Sequence, residues 1–118
     1  MTSPTFNTVA VYYGSTLTAH VKVDADLPTD DQLEQAFTAT QNINGSWSRG
    51  THLPDGTRNR DFNPFVTVVA PLPRYLGEER GHRSSSVGDG FLLITPTERT
   101  MYRVEGCGFA KVAGVATV

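Results

Sequence analysis

Residues 17–23 alternate between apolar and polar without a break. Leu17, Ala19, Val21 and Val23 fall on one side, and Thr18, His20 and Lys22 on the other. A period of two is the pattern of a strand with one buried face. Residues 6–13, Phe-Asn-Thr-Val-Ala-Val-Tyr-Tyr, are rich in the β-branched and aromatic types that suit a pleated surface. Gly14-Ser15 separates the two runs, so the pair predicts a β-hairpin with one face buried.

The period then changes. Leu33, Ala36, Phe37 and Thr40 recur at helical spacing, behind Leu27-Pro28-Thr29-Asp30-Asp31-Gln32. Thr29 suits an N-cap, Gln32 stands where a capping box places it, and Asp30 and Asp31 complement the positive end of the helix dipole. Asn42 and Asn44-Gly45 are stop signals, so the spacing predicts a helix over about 29–43.

Residues 45–64 follow neither period and contain Gly45, Gly50, Pro54, Gly56 and Pro64, which predicts a long loop of the kind that carries function or moves. A strand is expected over 65–70, ended by Pro71 and Pro73, then a second loop over roughly 71–83. Three strands follow, at 90–95, 100–105 and 108 to about 115, with a turn at Pro96-Thr97-Glu98. The order is β-β-α-β-β-β. That is an α+β fold, a small antiparallel or mixed sheet with one main helix.

A chain of 118 residues suits one domain, 1–118, since two cores would each be too small. No apolar run approaches the roughly 18 residues of a membrane helix, and residues 1–5 have neither the basic start nor the apolar stretch of a signal peptide. One cysteine, Cys107, cannot form an internal disulfide, which points to a reducing cytoplasm; between two glycines it is expected to be small and buried. The net charge of −2 removes the global argument for nucleic-acid binding. It also hides a skew: seven of the eight arginines lie between Arg49 and Arg99, whereas the first 48 residues hold five acids and only Lys22. A local basic stretch survives, diluted by Asp55, Asp61, Glu78 and Glu79, so nucleic acid ranks below protein as a partner.

Arginines and aromatics on long loops are the composition of interface hot spots. Trp47, Arg49, Arg58, Arg60, Arg74 and Tyr75 are therefore the candidate partner-binding residues, with Phe62 and Tyr102 as further aromatics. For Trp47, packing back into the core competes with that role. The segment from His82 to Asp89 holds histidine, three serines and aspartate, but no Gly-x-Ser-x-Gly elbow, and a catalytic role is not expected. It reads first as a structural turn into the next strand. It also supplies a candidate anion site, with Arg80, Arg83, Ser84, Ser86 and the backbone near Gly88 cradling a small anionic ligand. His20, His52, His82 and Cys107 show no zinc spacing, so neither a metal nor another cofactor is expected.

Three segments in order carry a family resemblance. They are Leu33-Glu34-Gln35-Ala36-Phe37 through Asn42-Ile43 to Trp47, then Arg83-Ser84-Ser85-Ser86-Val87-Gly88-Asp89, then Tyr102-Arg103-Val104 with Gly108-Phe109. Together they resemble the YodL-like small accessory proteins of actinobacterial phages, plasmids and mobile elements. The chain departs from that pattern at Gly90, where the family has a hydrophobic residue, and in its longer stretch between Trp47 and Arg83. The resemblance implies a small accessory protein of a mobile element rather than an enzyme. Together with the arginine- and aromatic-bearing loops it sets the expectation of a protein in the bacterial host cytoplasm that binds a host protein and inhibits or modulates a host process or defence system. The alternative is a protein that sequesters a nucleotide or other anion at the Arg83–Gly90 turn. The sequence leaves the oligomeric state open.

Overall fold

Backbone polarity and side-chain alternation decide the architecture of this chain, whose computed structural model describes residues 5–117. The hairpin forms from β1 (Phe6–Tyr13) and β2 (Thr16–Asp24), turning at Gly14, whose φ of +64° favours a residue without a Cβ. Helix α1 (Thr29–Ala39) follows, then β3 (Val66–Val68), a short hairpin of β4 (Arg74–Tyr75) and β5 (Glu78–Glu79), and finally β6 (Gly90–Ile94), β7 (Glu98–Val104) and β8 (Phe109–Thr117). Six strands make one antiparallel sheet in the order β3-β2-β1-β6-β7-β8, and β4–β5 stands apart as a two-stranded ladder. The fold is α+β. No helix among the described residues is long and apolar enough to cross a membrane.

The register places Val9 opposite Val21 and Leu93, and Val11 opposite Ala19 and Phe91. One sheet face is thereby apolar, and α1 covers it with Leu33 and Ala36, both fully buried, to form the core with Val23 and Val104. Phe37 extends this core through ring contacts with Phe91 and Phe109.

The structure revises several local expectations. The alternation of β2 breaks at Thr18. Val11 pairs with Ala19 but Tyr12 with Leu17, so Thr18 is the extra residue of a bulge and Leu17 leaves the Ala19 face. The freed Thr18 carbonyl accepts the N–H groups of both Val69 and Ala70, at 2.8 and 3.1 Å, which ends β3 at Val68 instead of residue 70. Thr29 is the first helical residue and not the cap: Pro28 holds the N-cap position with no side-chain cap bond. Gln32 makes no capping box; its amide ties the helix start to Leu27 O (2.8 Å) and the Asn7 side chain (2.9 Å). Finally, α1 stops at Ala39 and not near Ile43. The Thr40 hydroxyl bonds back to Ala36 O at 2.9 Å, and the Asn42 and Ile43 N–H groups that would continue the helix donate instead to Ser84 Oγ at 2.8 Å and Asp61 Oδ2 at 2.7 Å, on distant loops.

Candidate functional site

Three loop segments meet beyond the end of α1, and their polar groups decide which surfaces remain available. The Arg83–Asp89 segment is a closed structural unit. Arg83 grips Asp89 fork to fork, Nη1 to Oδ2 at 2.7 Å and Nη2 to Oδ1 at 2.8 Å. The guanidinium also lies 4.0 Å over the Tyr13 ring. Asp89 Oδ2 accepts Ser86 N, Ser84 Oγ accepts Asn42 N, and Ser85 Oγ lies 2.7 Å from the Thr40 hydroxyl and 3.1 Å from that of Tyr13. Gly88, at φ +95°, donates to Val104 O and anchors the turn to β7. The hydrogen bond to Asp89 holds the Arg83 guanidinium above its ordinary value, and burial raises the Tyr13 phenol.

This arrangement corrects the expectation of an anion site at Arg80, Arg83, Ser84, Ser86 and Gly88. The Asp89 carboxylate already occupies the cradle, and Arg80 directly follows the β4–β5 hairpin, 3.5 Å from Glu78. Nor do the histidine, serines and aspartate form a nucleophile–base pair. His82 Nε2 contacts Ala70 O at 3.1 Å, Ser85 serves Thr40 and Tyr13, and Asp89 serves Arg83.

Trp47 belongs to the interior. It is 2% exposed, stacks on His82 at 5.9 Å, meets Tyr13 edge-on at 6.3 Å, and donates its indole N–H to Arg83 O. It cannot meet a partner as an exposed anchor. Cys107, expected to be buried, is exposed.

The loop 45–64 lacks a period but not order. Asn59 is buried, and its side chain accepts Ser46 N and donates to Ser46 O and Gly50 O. A Cβ at Gly45 would collide with the Asn59 Oδ1, which accounts for glycine there. Two residues on, the Asp61 carboxylate accepts the N–H groups of Ile43 (2.7 Å), Asn44 (3.0 Å) and Gly45 (2.8 Å). These backbone amides form a concave nest that would suit a free anion, and Asp61 fills it from within.

Pinning residues 43–45 to residues 59–61 leaves a groove of about 620 Å³ between the outer side of α1 and residues 60–64. Leu27, Ala39, Ile43, Phe62 and Pro64 line it, with Asp31, Glu34 and Arg60 among its charged residues. Ile43 and Phe62 are 67% and 43% exposed, large apolar side chains facing one groove. Of the arginines and aromatics singled out in the sequence, Arg60 lines this groove and Arg58 is exposed close by, in a smaller hollow shared with Arg60 and Phe62. Arg49 is bound to Glu79 and lines a separate cleft with Pro54 and Arg80. Arg74 and Tyr75 stand on the β4–β5 hairpin, beside the exposed Leu76 at φ +52°. Tyr102 packs against the core. The predicted set therefore divides among four places: the groove and its hollow, the Arg49 cleft, the β4–β5 hairpin, and the core that holds Trp47 and Tyr102. Asp31, Glu34 and Ile43 were missed as surface residues; the one available signal was an isoleucine enclosed by Asn42 and Asn44-Gly45, where a core residue is out of place.

Comparison of the chain with known families, with curated proteins and with solved structures finds no match.

Proposed function

We propose that the chain is a non-catalytic binding protein that docks a protein of its host through the groove between α1 and residues 60–64. The observation that carries this reading is the pair Ile43 and Phe62, exposed apolar side chains on a backbone already pinned by Asp61 and Asn59. An ordered loop loses little conformational freedom on binding, so more of the contact energy becomes affinity. Asp31, Glu34 and Arg60 add charge beside the apolar residues, the usual anatomy of an interface with a dry centre and polar rim. The resemblance to YodL-like accessory proteins supplies the setting, a bacterial cytoplasm in which a host process or defence system is modulated.

The test is affinity purification of the tagged chain from its host, comparing wild type with Phe62→Ala and Ile43→Ser. Truncating an interface anchor costs about 2 kcal/mol of binding, roughly thirtyfold in affinity. A partner held by wild type and lost by both variants is the expected outcome. A partner held equally by all three would remove the groove from consideration.

A further inference from the structure

The hollow beside the groove has a different chemistry. It measures about 190 Å³ and is lined by Thr51, His52, Arg58, Asn59, Arg60 and Phe62, with no carboxylate among them. Its walls are built by the chain from Thr51 to Arg60. Asn59 N donates to Thr51 O at 2.9 Å, Leu53 N to Thr57 O at 2.8 Å, and His52 pairs with Arg58 in an isolated antiparallel bridge. Asp55 closes the tip by accepting the Thr57 N–H and hydroxyl. Asn59 turns inward and is buried, so the residues on either side of it, Arg58 and Arg60, are both exposed.

Among the described residues, neither guanidinium donates a hydrogen bond, and no carboxylate lies within 4.0 Å of either. Of the other six arginines, Arg49, Arg80, Arg83 and Arg103 each have an acidic partner, and Arg74 and Arg99, which have none among the described residues, do not line this hollow. Two like charges in one small hollow repel unless an anion joins them. His52 adds a third group: the Thr51 hydroxyl lies 3.1 Å from Nδ1, and when it donates there, Nε2 carries the proton and can donate to a ligand.

We infer that this hollow is a phosphate site that takes the terminal group of a phosphate monoester. Two planar guanidinium forks and an imidazole N–H supply donors to the terminal oxygens, and arginine matches phosphate geometry better than a point charge does. Size decides against a whole nucleotide, because pockets that enclose a complete small molecule run from roughly 300 Å³ upward. The phosphate enters and the group that carries it stays outside. The anion site expected at Arg83 thus lies about a loop away, where arginines have no internal acid.

Amide chemical shifts of the ¹⁵N-labelled chain, titrated with inorganic phosphate, test this. Saturable shifts are expected at Thr51, His52 and residues 58–60, with a dissociation constant of about 1 mM or tighter. The double variant Arg58→Ala/Arg60→Ala should lose at least about tenfold in affinity, and Arg58→Lys/Arg60→Lys, which keeps charge but not the fork, should fall between. Arg99→Ala, at an exposed arginine outside the hollow, should bind as wild type does. Parallel titrations with phosphoserine and with adenosine monophosphate identify the carrier from whichever binds more tightly, and either order supports the site. Shifts that never saturate, or a double alanine variant that binds phosphate as well as wild type, would overturn the proposal. The outcome is independent of whether the neighbouring groove binds a protein.

Discussion

Arg83 and Asp89 form a two-pronged ion pair, with contacts of 2.7 and 2.8 Å, although only five residues separate them in the chain. The Asp89 side chain is 6% exposed and that of Arg83 is 51% exposed, so one partner is held in the protein while the other faces water. The pair closes the turn on itself, and the Tyr13 ring beneath it and the Val104 ladder beside it tie that turn to the sheet.

Removing either partner should destabilise the fold, but unequally. Asp89→Asn weakens the hydrogen bonds to Arg83 and to Ser86 N, and is expected to cost about 2 kcal/mol after allowing for the solvent screening of Arg83. Arg83→Ala strands a buried carboxylate and should cost more. Urea midpoints read both losses; equal stability in all three proteins would contradict the assigned role.

Burial raises the Tyr13 phenol above its ordinary value of 10.0. A raised native value means that the contribution of Tyr13 to stability is intact below the unfolded value, near 10, and is lost as pH rises through the native one. Urea unfolding measured on both sides of pH 10 should show the decline. Tyr13→Phe should be less stable at neutral pH, having lost the bond to Arg83 O, and should decline less steeply in alkali.

Asn59 and Asp61 should govern the order of residues 43–46. Asn59→Ala removes acceptors and donors from several backbone groups and is expected to cost about 2–3 kcal/mol. Asp61→Asn should raise amide hydrogen exchange at Ile43, Asn44 and Gly45 while leaving the β1–β2 amides protected. Unchanged exchange at those three amides would show that the carboxylate does not hold the nest.

Stability and binding should separate by residue. Leu33→Ala empties a fully buried position under the sheet and is expected to cost about 2–5 kcal/mol. Arg60→Ala, on the surface, should stay within about 0.5 kcal/mol of wild type while altering ligand binding. Thermal unfolding and the phosphate titration, run on the same samples, check the two halves.

Sequence by itself determined the elements whose cause is local. The β1–β2 hairpin, the apolar stripe of α1 and the three closing strands follow from periods of two and 3.6 and from turn residues acting over a few positions. It also marked the Arg83–Asp89 segment as a turn, since Gly88 and the serines have few other uses there. The two-residue strands of β4–β5 escaped because they are too short to show a period.

Tertiary structure alone decided the rest, because it depends on groups far apart in the chain competing for the same partners. Ser84 and Asp61 take the Asn42 and Ile43 N–H groups and end the helix, and Val69 and Ala70 take the Thr18 carbonyl and shorten β3. Asp89 takes Arg83 and closes one anion cradle, and Asp61 fills another. Trp47 is drawn inward by Tyr13 and His82. Residue type shows that an arginine can bind an anion. Only the fold shows whether a carboxylate has reached it first, as one has at Arg83 and, among the described residues, none has at Arg58 and Arg60.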